Sequence, residues 1–187
     1  MENKKCISYG LEHETGVSIS HCYQCGKCTA GCVLAEEMDF PPSYLMRLLQ
    51  TRTPENDSRV LGSNAIWICL NCENCMSRCP KEIDIPKIMD YLRGQARRQE
   101  CVNKHAYPIV AFHNAFLQSV KHTGRLYEIG LIAGFKARTF RLTQDVNLVP
   151  GMLSKGKLNL LPESVKNKWR IKKIFTQTID KPKNKKV

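Results

Sequence analysis

SYLMRLLQTR, residues 43–52, sets Leu45, Leu48 and Leu49 on one face of a helix. Ser43 stands where an N-cap would, and TPENDS, residues 53–58, breaks the periodicity. The stretch sits within 36 residues flanked by one cysteine pattern used twice. HCYQCGKCTAGC, residues 21–32, carries Cys22, Cys25, Cys28 and Cys32. ICLNCENCMSRCP, residues 68–80, carries Cys69, Cys72, Cys75 and Cys79, each 47 positions after its counterpart.

Three thiolates two residues apart can wrap a loop over one corner of an iron-sulfur cubane, because each iron takes a soft sulfur ligand. The fourth cysteine lies three residues further on, where the chain leaves the loop, and in two-cluster ferredoxins that residue ligates the other cluster. The expected cofactors are therefore two [4Fe-4S] clusters, one on Cys22, Cys25, Cys28 and Cys79, the other on Cys69, Cys72, Cys75 and Cys32. Zinc is the rival, but zinc ribbons use two separated C-x-x-C pairs and leave the extra cysteine of each loop without a task. Pro80 follows Cys79 as the bacterial pattern has it, whereas Val33 follows Cys32. Gly26 and Gly31 in the first loop stand against Asn71 and Asn74 in the second, a difference able to make the two potentials unequal.

A small bacterial ferredoxin would place short strands between its quartets; the leucine spacing here puts a helix there. SNAIWICL, residues 63–70, offers a cap at Ser63 and a short helix into Cys69. DIPKIMDYLRGQARR, residues 84–98, has Pro86 near a helix start and Ile85, Ile88, Met89 and Leu92 on one face. The fold expected is mostly α: an α-helical ferredoxin domain with two clusters, followed by a helical and extended basic C-terminal segment.

Composition divides the chain at the same place. Of 187 residues, the first 100 carry a net charge of −1 and the remaining 87 one of +13, and nine of ten cysteines lie in the first part. The domains expected are 1–100, holding the clusters, and 101–187, a basic docking region. HAYPIVAFHNAFLQSV, residues 105–120, spaces Ile109, Phe112, Phe116 and Val120 for a helix, and GRLYEIGLIAGFKART, residues 124–139, reads as another. In ESVKNKWRIKKIF, residues 163–175, basic residues alternate with Val165, Trp169, Ile171, Ile174 and Phe175, a mixture suited to an interface with aromatic anchors and a charged rim.

Several function classes are disfavoured. MENKKCISYG, residues 1–10, has no apolar signal stretch, and IGLIAGF, residues 129–135, falls short of the roughly 20 residues that span a bilayer. Clustered cysteines in such a chain suit a reducing cytoplasm better than a disulfide scaffold. The basic half raises nucleic acid as a partner, but only Trp169 and Phe175 among its last residues could stack on bases, so none is expected. His105, His113 and His122 are read as helix-surface residues or as satisfying a local hydrogen bond, His21 as either solvent-exposed or tuning the cluster of the adjacent Cys22, and Cys6 and Cys101 as spare thiols. No acid-base pair and no G-x-G-x-x-G fingerprint is present, so no catalytic residue is assigned.

The paired quartets, AIWICLNCENCMSRCPKEIDIPKIMDYLR (residues 65–93) and the later GRLYEIGL and GKLNLLP resemble the iron-sulfur C subunit of the soluble heterodisulfide reductase of methanogenic archaea, over nearly the whole chain. The resemblance implies an electron-transfer subunit, non-catalytic itself, within an oxidoreductase complex of methanogenesis. It would pass electrons from the flavin-containing, bifurcating A subunit to the catalytic B subunit, which reduces the heterodisulfide of coenzyme M and coenzyme B. A hydrogenase or formate dehydrogenase would stand upstream. The Cys-Cys dipeptide of the catalytic subunit is absent from this sequence. The alternatives are the iron-sulfur relay subunit of a membrane dehydrogenase of the succinate or glycerol-3-phosphate type, which shares the helical ferredoxin design, and an iron-sulfur module that binds nucleic acid.

Overall fold

The computed structural model describes residues 7–140, 149–156 and 161–178, and among them the chain is helical with no strand. It divides into two compact units, Met1–Tyr107 and Pro108–Val187.

In the first unit the longer helices are α1 (Ile7–Thr15), α3 (Pro42–Gln50), α4 (Pro54–Leu61) and α7 (Ile85–Arg98); between them lie three single turns, α2 (Lys27–Ala30), α5 (Ala65–Ile68) and α6 (Asn74–Ser77). The core is supplied mainly by α3 and α7. Leu45, Met46 and Leu49 on α3 and Ile88, Met89 and Leu92 on α7 are completely buried, each pair of equivalents 43 positions apart. Each such side chain removed from water contributes roughly 1.5–3 kcal/mol of apolar burial.

Two helix starts are capped from a distance and two by the residue just before them. The helix read with Ser43 as its N-cap begins two residues earlier, at Pro42, and Thr29 of α2 accepts from the Ser43 amide at 2.9 Å. At α5 the cap expected at Ser63 is replaced by Asp39, whose carboxylate accepts from the amides of Asn64 and Ala65, both at 2.8 Å. TPENDS does not merely end a helix; it starts α4, with Pro54 in the first turn and the Thr53 hydroxyl accepting from the Asn56 amide. On α7 the expected face is buried and Asp84 caps Lys87.

α1, absent from the sequence reading, packs against α4 and α7. Asp57, 4% exposed, accepts from the Ile7 amide and the Ser8 hydroxyl, both at 2.8 Å, so a buried carboxylate finds its partners at a helix N-terminus.

In the second unit α8 (Tyr107–Thr123) and α9 (Glu128–Thr139) are joined by a turn at Gly124, φ +84°; α10 (Val149–Ser154) and α11 (Lys168–Thr178) follow. Phe112 and Phe135 meet edge to face at 6.1 Å between centroids. The face expected on α8 is not its buried one: Ala111 and Ala115 are buried, while Phe112 and Phe116 remain 43% and 38% exposed. The segment expected to be extended is partly helical, and α11 leaves Trp169 and Ile174 exposed. Val165 and Ile171 close on Gly124, where a Cβ would stand 3.1 Å from each.

Candidate iron-sulfur site

The 47-residue repeat is visible in the backbone. Gln24 and Asn71, each between the first two cysteines of its loop, both have positive φ, at 61° and 51°. Gly26 and Glu73 repeat the device at 78° and 61° and open the short helices α2 and α6, which are themselves 47 positions apart. A left-handed residue before a one-turn helix folds three cysteines inward around one space. Glycine adopts this without cost, whereas glutamate at 73 is disfavoured there by about 1 kcal/mol or more.

Two spaces result. Cys22, Cys25 and Cys28 line one cavity together with Cys79, and Met46 and Ser43 of α3 form part of its wall. Cys69, Cys72 and Cys75 line a second cavity together with Cys32, walled by Met89 and Pro86 of α7. Ser43 and Met46 are 43 positions before Pro86 and Met89, so the two walls are as equivalent as the two loops. The residues after the fourth cysteines also stand in equivalent places: Pro80 and Lys81 line the first cavity, Val33 and Leu34 the second.

Each cavity has an outer and an inner thiol. Cys25 and Cys72 are exposed, whereas Cys28 is only 8% exposed and Cys75 is half-buried. Burial pushes the Cys75 thiol up to about 11, with the neighbouring Cys69 thiolate and, across the pair of loops, Cys28 adding to the shift. Cys28 is raised as well, by burial and then by Cys22. Thiols crowded in this way hold their protons unless a cationic centre compensates the thiolates, which is the environment a thiolate-ligated iron core supplies. Four soft donors around each of two spaces suit a four-iron cubane in number and in kind. Among the described residues, no three Cys, His, Asp or Glu side chains converge on one point that could hold a single ion.

His21, His105, His113 and His122 are exposed. Cys101 is half-buried with its thiol 3.7 Å from the Ala96 carbonyl, and Cys6 lies outside the described residues. The sequence reading missed Gln50 and Arg93. Each sits one turn beyond a buried methionine of the core and reaches back to its cysteine loop; the 43-residue recurrence of α3 in α7 was the available signal.

Among the described residues the scaffold is helical and gathers eight cysteines in two sets of four, and residues 18–83 match the family model of the 4Fe-4S dicluster domain. The chain is similar to the C subunits of methanogen heterodisulfide reductases. It is 34% identical over 109 residues to the ferredoxin:CoB-CoM heterodisulfide reductase C subunit of Methanosarcina acetivorans, covering 58% of this chain and 39% of that one. It is 31% identical over 101 residues to the iron-sulfur C subunit of the CoB–CoM heterodisulfide reductase of Methanopyrus kandleri, covering 54% and 50%. With the C subunit of the H(2):CoB-CoM heterodisulfide,ferredoxin reductase of Methanothermobacter thermautotrophicus it shares 25% over 94 residues, 50% of this chain and 49% of that one. These alignments span about half of the chain, not nearly all of it as the C-terminal phrases suggest, and half or less of each relative.

Proposed function

We propose that the chain is the iron-sulfur electron-relay subunit of a soluble heterodisulfide reductase. Cys22, Cys25, Cys28 and Cys79 hold one [4Fe-4S] cluster; Cys69, Cys72, Cys75 and Cys32 hold the second. Such a cluster supplies one-electron transfer without moving a proton or a group.

The observation that carries this reading is the order of the thiols. In each half the outer cysteine, Cys25 or Cys72, meets solvent, while of the inner ones Cys28 is near enough to Cys75 to add to its upward shift. A path through the chain then has an entry, two adjoining stations and an exit. The chain's own work is to exclude water from the inner edges, with Met46 and Met89 in the two walls, and to keep the loops in fixed register. The two mouths also differ. Tyr23, Lys27 and Lys81 surround the first, all exposed; Val33 and Leu70, 74% and 68% exposed, flank the second. Two chemically different mouths fit two different partners.

In this reading the donor is the flavin-containing, bifurcating subunit and the acceptor is the catalytic subunit, with hydrogenase or formate dehydrogenase upstream, in the cytoplasm. The basic second unit docks the cluster domain between them. Its half-exposed Phe112 and Phe116, and Trp169, 59% exposed beside Arg170, are apolar anchors with a charged rim. Among the described residues no helix is long and apolar enough to cross a membrane.

Anaerobic purification of the native complex, with every subunit and cofactor identified, tests the proposal. The flavin-containing and the catalytic subunits are expected with this chain. The isolated chain should accept and return electrons yet show no turnover of the coenzyme M–coenzyme B heterodisulfide. Turnover by the chain free of the catalytic subunit would contradict the relay.

A further inference from the structure

The two halves share one anchoring arrangement, made by different side chains at one pair of equivalent positions. Gln50, at the end of α3, donates through Nε2 to the carbonyls of Ile19 at 3.0 Å and Cys22 at 2.6 Å. Arg93, 43 positions later on α7, donates from its guanidinium to the carbonyls of Ile66 and Cys69. Those carbonyls lie 47 positions after the pair that Gln50 holds. The next contacts correspond too. Gln24 donates to Cys22 Sγ at 3.4 Å and to Gln50 Oε1 at 2.9 Å. Asn71, its equivalent, lies 3.5 Å from Cys69 Sγ, accepts from Arg93 at 3.2 Å and donates to Asp90 at 2.9 Å. A neutral amide does in the first half what a cation does in the second.

We propose that Arg93 is a positioning residue with an electrostatic function: it clamps the Cys69 loop and raises the reduction potential of the cluster held by Cys69, Cys72, Cys75 and Cys32. The inference rests on the cluster assignment above.

Asp90 pairs with Arg93 at 2.8 Å, so the two formal charges cancel, but their positions differ. The Asp90 side chain is 60% exposed and the Arg93 side chain 19%. Water and salt screen the outer carboxylate more strongly than the inner guanidinium, which is bonded to the backbone of the loop itself. The field left at the loop is positive. Reduction adds a negative charge to a cluster, so a nearby, poorly screened cation favours the reduced form. At the other cavity Lys27 and Lys81 stand exposed, where a charge acts weakly over the same distance, and Gln50 carries none.

The test is a reductive titration of the cluster-loaded full chain, followed by electron paramagnetic resonance, in the wild type, Arg93→Gln and Asp90→Asn. Arg93→Gln gives the second half the side chain that already holds two carbonyls in the first. One of the two midpoint potentials should move negative in Arg93→Gln while the other stays. In Asp90→Asn, which keeps the guanidinium on its carbonyls, the same potential should move positive. Potentials unmoved in both variants, or two potentials moving equally, would overturn the proposal. If Arg93→Gln does not retain the second cluster, the sign of the Asp90→Asn shift decides alone. Failure of the underlying assignment looks different: wild-type chain without labile sulfide and without two reducible centres.

Discussion

Asn74 donates through Nδ2 to the carbonyl of Gly31 at 2.5 Å, and this bond ties the second cysteine loop to the first beside Cys75 and Cys32. Arg78 closes over the same glycine, where a Cβ would collide with its Cδ. The two sets of thiols therefore share one support. Losing the bond leaves a part-buried carbonyl unsatisfied, at about 1–3 kcal/mol. Asn74→Ala should hasten iron loss to a chelator from both sites together. An unchanged rate, or loss from one site alone, would show that the loops stand independently.

Cys79 lines the cavity of the first loop and Cys32 that of the second. Cys79→Ala should damage the cluster held by Cys22, Cys25 and Cys28 first, and Cys32→Ala the other. Electron paramagnetic resonance of the two variants checks the pairing, and the reverse pattern of losses would refute it.

Asp57 is the buried anchor of α1 on α4, holding the Ile7 amide and the Ser8 hydroxyl. Hydrogen bonds to a charged group contribute about 1.5–3 kcal/mol each. Asp57→Ala should lower unfolding stability by about 3 kcal/mol and detach α1, read as loss of amide protection over residues 7–15. Denaturation of the loaded protein measures it, and a change of a few tenths of a kcal/mol would contradict the role.

Tyr91 on α7 donates to the Ile7 carbonyl at 3.3 Å, and its pKa is raised above 10.0 by burial and then by the charge of Glu14. A folded-state pKa above the unfolded one means that the folded protein keeps the proton longer. The stabilisation is present below pH 10 and is lost as pH rises through the raised value. Tyr91→Phe should flatten part of the alkaline fall in melting temperature. Parallel wild-type and variant curves would exclude this contribution.

Trp169 is 59% exposed on α11 among basic residues. Buried anchors govern dissociation of a complex, whereas rim charges chiefly set association rate and salt dependence. Trp169→Ala should speed release of the partner subunits more than Lys172→Ala does, measured by surface-based kinetics on the reconstituted complex. Equal effects would remove the anchor.

The features legible in the sequence were those carried by local spacing. The cysteine repeat, the face of α3 and the face of α7 each depend on residues within a few turns of one another. What escaped depended on distant partners. Asp39 reaches 25 positions to cap the start of α5, and Thr29 caps α3 from the first loop. α1 is short, and its anchor, Asp57, is 50 positions away. α4 was hidden because Thr53 and Pro54, a helix-start signal, sit in a polar stretch that reads as a break. On α8 the phenylalanines gave the expected period, yet the buried positions are Ala111 and Ala115, since small residues let a neighbouring helix approach. Gln50 and Arg93 carry no motif, and their equivalence emerges only when α3 is laid on α7.

The central claim, two cubane clusters in one chain, is tested most directly by iron and acid-labile sulfide analysis of anaerobically prepared protein. The account predicts about eight of each per chain, from four irons and four sulfides in each of two clusters. Stoichiometric zinc without sulfide would contradict it.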